Sequence, residues 1–265
     1  MKAAIIQMRS GIDVPENIKI ATDLIRNAAA DGSRFIATPE MTHLMQRDGQ
    51  ALRKAVRPQG EDLGVKAFSE VARLLNIYLL IGSLAILRAD GRIANRSFIF
   101  GPDGEIGASY DKIHLFEAAI SKTDTWREAD TYAAGETSVI AAVDDFDLGL
   151  SICYDLRFAN LYKSYAQARA HMISAPSAFT RATGKAHWET LLRARAIETG
   201  AYIIAPAQGG SHADGRKTWG HSMIIGPWGE ILTHIDDDKP GYALADIKIA
   251  EVDKARAKLP AWQSA

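Results

Sequence analysis

LGLSICYDLRF, residues 148–158, runs from an apolar strand pattern into a polar bend, and a helical pattern then continues to about Arg169. The stretch predicts a strand feeding a helix, the repeating unit of an α/β protein. Cys153 falls at the end of the strand. A nucleophile placed at such a bend is exposed at the sheet edge, and the backbone N–H of the next residue, Tyr154, points towards a carbonyl under attack. The other reading is a buried strand cysteine, which is what most single cysteines are. The polar run Tyr154-Asp155-Leu156-Arg157 speaks against it, because a strand interior would not carry those residues.

The same alternation extends in both directions. Upstream, KAAIIQM (2–8) reads as a buried strand, and Asp13 as the N-cap of a helix with Pro15 in its first turn. Ile18, Ala21, Leu24, Ile25 and Ala28 recur at helical spacing until Asp31-Gly32. RFIATPEM (34–41) is a short strand running into Pro39-Glu40, a helix covers about Leu63 to Leu75, and IYLLIGSLAIL (77–87) is a strand. Asp90-Gly91 and Pro102-Asp103-Gly104 mark turns around SFIF (97–100) and a strand ending at Tyr110. Residues from about Glu117 to Thr137 read as a polar loop, followed by the strand SVIAAV (138–143). Downstream of the bend come the strand HMISAP (171–176), the helix ETLLRARAIETG (189–200) and the strands AYIIAPA, WGHSMIIG, EILTHI and GYALADI, with a hairpin turn at Pro227-Trp228-Gly229. The expected fold is one α/β domain, residues 1–265, with mixed sheets under helices.

Composition narrows the function. Apolar residues make up 47% and charged residues 24%, with a formal net charge of −1, so non-specific nucleic-acid binding has no electrostatic support. No stretch approaches the roughly 18 apolar residues of a membrane span, and MKAAIIQMRS is too short for a signal-peptide apolar region. Cys153 is the single cysteine, which excludes an internal disulfide and a cysteine-based zinc cluster and fits a reducing, cytoplasmic setting. The seven histidines show no metal-ligand spacing, and no glycine pattern follows a strand as a nucleotide loop would, so neither a metal nor an organic cofactor is expected.

Two further residues carry possible chemistry. Glu40 ends a buried strand, where a carboxylate is costly without a partner or a task; a surface turn is the alternative. Lys112 ends another strand in SYDKIHLF, where a lysine is more often a snorkelling surface residue. Held beside a thiol, however, its charge would lower the thiol pKa from about 8.5 and stabilise a negative tetrahedral oxygen. Arg193 and Arg195 read as packing or ion-pair residues, and His187 and His221 as structural histidines. Phe116, Trp126 and Phe179 are core or pocket aromatics.

TPEM around Glu40, YDKIHLF around Lys112 and SICYDLRF around Cys153 occur in the order of the Glu–Lys–Cys triad of the nitrilase superfamily, the carbon–nitrogen hydrolases. The chain resembles that family over nearly its whole length, continuing through TGKAHWETLLRARAIET and WGHSMIIGPWG. The resemblance implies an αββα sandwich of two mixed sheets that pairs into a homodimer or larger even oligomer. It also implies a cofactor-free amidase acting through a cysteine thioester; ω-amidase, nitrile and N-carbamoyl amino acid hydrolysis fit the same triad, and a non-catalytic binding protein on this fold is the alternative that a decayed triad would have marked. Glu128, in TWREADTYAAG, matches a second glutamate that the family places beside the lysine; by composition alone it would be a solvated loop acid. One departure is Ala159-Asn160, where the family usually has Pro-Glu, which puts the start of the next helix in question. The stretch from Ala205 to Gly229 is most similar to the deaminated glutathione amidase branch. An anionic substrate of that kind needs a cationic or hydrogen-bonding clamp, with Arg157 as the nearest candidate and Thr180 and Arg181, after the substrate-pocket aromatic Phe179, as further ones; pairing to an acid such as Asp155 is the alternative for Arg157.

Overall fold

The structure is a computed structural model that describes residues 1–121 and 124–263, with the backbone alone for 118–121 and 124–126. Its first sheet contains β1 (Lys2–Gln7), β2 (Phe35–Ala37), β3 (Tyr78–Leu87), β4 (Ile93–Phe100) and β5 (Ile106–Asp111). The second contains β6 (Ile140–Val143), β7 (Phe146–Gly149), β8 (Met172–Ser174), β9 (Tyr202–Ala205), β10 (Met223–Ile225) and β11 (Ile231–His234). β12 (Gly241–Asp246) returns to the first sheet, whose order is β12-β1-β2-β3-β4-β5, while the second runs β6 to β11 in sequence. Both are mixed: β1, β2 and β3 are parallel, as are β7, β8 and β9, and the outer strands are antiparallel.

β1 shows why the sheets stack. Ala3 and Ile5 pack into the core shared with the second sheet, whereas Ala4 and Ile6 pack into a second core under the helices. A strand apolar on both faces needs a layer on each side. On the first sheet that layer is α1 (Val14–Ala30) and α3 (Leu63–Leu75), with the short α2 (Gly49–Ala55) between them in sequence. On the second it is α4 (Ala159–Gln167) and α5 (Arg181–Thr199), which bury Tyr162, Trp188 and Leu192. The arrangement is the expected αββα sandwich.

Several boundaries differ from the sequence reading. Residues 117–137 are not all loop: Glu117–Ser121 pairs antiparallel with Asp124–Arg127, a 3-10 turn spans Glu128–Asp130, and Tyr132–Ala133 pairs with β4. The polar composition hid this because backbone pairing does not require apolar side chains. WGHSMIIG is broken at Gly220 and His221, both with positive φ, so Lys217–Trp219 pairs instead with Gly209–Ser211. α5 starts eight residues before ETLL, at the N-cap Thr180, whose hydroxyl accepts from the Thr183 N–H. α4 begins at Ala159 with no side-chain hydrogen bond at its N-cap, so the missing Pro-Glu does not prevent the helix. Neither α2 nor α6 (Ile249–Lys258) was expected; α6 buries only Val252, Ala255 and Arg256 and has little apolar periodicity.

One close approach positions the end of β2. The register of β3 against β4 shifts between Ile81 and Leu84, and the Gly82 N–H donates to Thr38 Oγ1 while the Ser83 N–H donates to Pro39 O. A Cβ on Gly82 would lie 2.1 Å from Thr38 O and 2.5 Å from Pro176 Cβ. Neither obstacle is the flexible end of a side chain. Gly82→Ala is therefore expected to destabilise the protein by about 1–3 kcal/mol and to displace Glu40. Denaturant unfolding checks the first effect, and an unchanged midpoint would contradict it.

Candidate active site

Three strand ends converge between the sheets. Glu40 follows β2 in a loop fixed by Ser83, whose Oγ accepts from the Met41 N–H and whose carbonyl accepts from the Thr42 N–H. From the opposite side the Gln208 amide donates to the carbonyls of Glu40 and Met41. Lys112 directly follows β5; its N–H donates to Asn95 O, and its carbonyl accepts from the Gly135 N–H. Cys153 opens a 3-10 turn, Cys153–Arg157, with φ at +50° and its N–H donated to Pro176 O. A positive φ on a non-glycine residue is held by its surroundings, and here Asp155 supplies them. Its buried carboxylate accepts from the Ile152 N–H at 2.9 Å, the His114 N–H at 2.9 Å and the Tyr110 hydroxyl at 2.8 Å. Arg195, buried on α5, donates to Leu156 O and ties the far end of the turn.

The side chains meet in one buried array. Lys112 Nζ lies 2.9 Å from Glu40 Oε1 and 2.8 Å from Glu128 Oε2. Glu40, Lys112, Glu128 and Cys153 are 4, 1, 4 and 7% exposed, so none relies on solvent for its charge balance. Glu40 Oε2 also accepts from the Ala178 N–H at 2.9 Å, and Glu128 Oε2 from the Phe116 N–H at 2.8 Å. Burial pushes the Glu40 carboxyl up, but Lys112 and the hydrogen bonds from Lys112, Cys153 and Asn95 outweigh it and hold the group below its ordinary value. Burial pushes the Lys112 ammonium down, and the charges of Glu128, Glu40 and Cys153 override it, keeping lysine well above its ordinary value. For Cys153, burial and the Glu40 carboxylate push the thiol well up against the opposing pull of Lys112 and the Ala178 N–H. The expected lowering by Lys112 is thus present but outweighed, and the resting group is a thiol.

The array forms one wall of a cavity of about 330 Å³. Tyr154, Arg157, Phe179 and Thr180 all line it, as does Phe116. Arg157 is not paired with Asp155. It donates to His187 Nδ1 at 3.3 Å and lies over the rings of Phe179 and Tyr154, 5.3 and 5.8 Å from their centroids. Arg181 turns away to an ion pair with Asp238. His221 stacks on Trp219 and Arg193 pairs with Glu189, as structural readings predict. The Trp126 side chain lies outside the described residues. The sequence reading missed Asn95, fully buried on β4, whose Nδ2 donates to Glu40 Oε1 at 2.9 Å and Glu128 Oε1 at 3.0 Å. The signal available was a polar Asn-Arg pair inside an otherwise apolar strand.

Known proteins match the chain in sequence and in fold. The carbon-nitrogen hydrolase family model matches residues 2–257. The chain is 36% identical to a deaminated glutathione amidase of Synechocystis over 98% of this chain and 96% of that one. It is 32% identical to an omega-amidase of Homo sapiens over 99% of this chain and 94% of that one. Among solved structures it superposes on the C. elegans NitFhit protein with a TM-score of 0.91 and 32% identity, covering 100% of this chain and 64% of that longer one. It superposes on a Saccharomyces cerevisiae member of branch 10 of the nitrilase superfamily with a TM-score of 0.88 and 26% identity, over 98% and 94% of the two chains.

Proposed function

Because the chain belongs to the carbon–nitrogen hydrolase family, we propose that it is a metal-independent amidase whose nucleophile is Cys153. The observation that carries the reading is the buried Glu40–Lys112–Glu128 array beside that thiol. A thiol pushed well up by burial needs a base, and Glu40, whose carboxyl is held below its ordinary value by Lys112, is the charged neighbour that pushes it. Glu40 takes the proton as Sγ bonds to the amide carbon. Two Lys112 N–H bonds go to Glu40 and Glu128, which leaves the third, with the Tyr154 N–H, for the oxyanion. As the carbon–nitrogen bond breaks, Glu40 returns the proton to the leaving amine. It then deprotonates water, which cleaves the thioester to the acid and restores the thiol. Glu128 accepts from Lys112, Asn95 and the Phe116 N–H, so its task is to hold the ammonium rather than to move protons. Lys112 is thereby the cation paired with both carboxylates.

The substrate we assign is deaminated glutathione, cleaved to 2-oxoglutarate and cysteinylglycine. Relatives of that name match over nearly the whole chain, and Arg157 and Thr180 line the same cavity as the array. Arg157, braced by two aromatic rings, suits a carboxylate clamp, and Phe179 and Thr180 lie beside it. No helix of the described residues is long and apolar enough to cross a membrane. A cytoplasmic setting keeps the free Cys153 reduced.

Cys153→Ala is expected to abolish turnover while leaving the fold intact, and Glu40→Gln to reduce it by about 10²–10⁴-fold. Activity should survive chelators and fall on alkylation of Cys153. A normal rate from either variant, or a loss in chelator reversed by zinc, would overturn the mechanism. In a side-by-side comparison of kcat/KM, deaminated glutathione should exceed 2-oxoglutaramate, a simple nitrile and an N-carbamoyl amino acid. A higher value for any of the three would reject the substrate. The protein should also be a homodimer or larger even assembly, because Ile197, Trp228 and Leu259 expose apolar surface around a second cavity of about 190 Å³. Light scattering that gave a monomer mass would refute this.

A further inference from the structure

We propose that Asn95 is a positioning residue for catalysis: by bonding to both carboxylates at once, its amide nitrogen turns Glu40 so that only the Oε2 edge is left to receive the thiol proton. The proposal rests on the reading of Glu40 as the general base. Asn95 Nδ2 gives one N–H to Glu40 Oε1 at 2.9 Å and one to Glu128 Oε1 at 3.0 Å. Its Oδ1 is buried and has no hydrogen-bond partner among the described residues. A buried amide normally satisfies both ends. Here the acceptor goes unpaired while both donors are used, so the orientation is dictated by the carboxylates. Turned over, the amide would set Oδ1 against two negative groups.

The lone pairs of Glu40 can then be counted. Each carboxylate oxygen accepts along about two directions. Oε1 is filled by Asn95 and Lys112, and Oε2 takes the Ala178 N–H, which leaves a single open direction on Oε2. The Asn95 carbonyl also accepts from the Lys112 N–H, so one residue sets the lysine backbone and both acids together. Among the described residues the charged and titratable groups around Glu40 are Lys112, Glu128, Cys153 and Tyr132, with Arg216 acting on Tyr132. Within the array itself, two carboxylates and one ammonium sum to one negative charge before the thiol ionises, while Arg157 and Arg216 line the cavity beyond it. Asn95 adds two N–H dipoles there without adding a charge, which a lysine, an aspartate or an apolar residue could not do.

The test uses the full chain and reads Cys153 alkylation by iodoacetamide against pH, a measurement that needs no substrate, together with kcat and KM. In Asn95→Leu, close to the same shape without donors, the acid limb of the alkylation profile should move up by about one pH unit, because a hydrogen bond to the ionised carboxylate is lost. Turnover should fall by about 10–100-fold with KM changed less than about three-fold. Asn95→Ser keeps one hydroxyl donor, should shift the limb by less, and serves if the leucine variant does not fold. A folded variant with an unmoved limb, or a loss confined to KM, would overturn the role of Asn95. Glu40→Gln separates the two readings. If it keeps the acid limb, the base assignment fails and this proposal with it; if it loses the limb while the Asn95 variants do not move it, Asn95 alone is wrong.

Discussion

The ammonium of Lys112, sealed between the carboxylates of Glu40 and Glu128, is the interaction on which the rest of the site depends. Three charged groups almost without solvent are tolerated only when paired and hydrogen-bonded. Removing Lys112 would leave two buried carboxylates without a cation. The surrounding backbone completes the pairing: N–H groups of Ala178 and Phe116 reach the carboxylates, and Asn95 bridges them.

The fold supplies that pairing through rigid strand ends. Glu40, Lys112 and Cys153 each follow a strand, and each backbone is fixed by hydrogen bonds from a neighbouring segment. Some of the unusual backbone conformations fall in the same place. Met41, beside Glu40, and Cys153 both have positive φ, and Gly82 leaves no room for a Cβ between β3 and the loop that carries Glu40. Asp155, with Ile152, His114 and Tyr110 as donors, holds the turn that presents the thiol. Within the polar run after Cys153, which argued in the sequence against a buried strand, Asp155 braces the turn that carries Cys153, while Tyr154 and Arg157 line the cavity.

What could be read from the sequence follows from how local each signal is. Cys153, Glu40 and Lys112 stand at strand ends inside short motifs, so their placement was legible, as was the alternation that makes the αββα layers. Glu128 was legible only by resemblance, since an acid among polar loop residues looks solvated until Lys112, 16 residues away in sequence, is brought to it. Asn95 was legible only as a polar interruption of its strand, not as a site residue. Its meaning lies in contacts to residues 55 and 33 positions away, on two different segments. The ribbon at Glu117–Arg127 and helix α6 were missed for a related reason. Their pairing or docking uses backbone bonds and a few small apolar residues, and neither leaves a strong hydrophobic period.

The protonation of Cys153 connects this architecture to the proposed chemistry. A cation near a thiol is usually taken as a device for making a standing thiolate. Here burial and the Glu40 carboxylate outweigh Lys112, so the charge of the lysine is largely spent on its two acids. In the proposed mechanism the thiolate forms only as its electrons move into a bond with an amide carbon and the negative charge passes to an oxygen near Lys112. Coupling proton removal to attack keeps the nucleophile uncharged between turnovers, and an uncharged thiol is also the less oxidisable form. The same arrangement that makes Cys153 a poor free thiolate thus suits it to act only on a bound substrate.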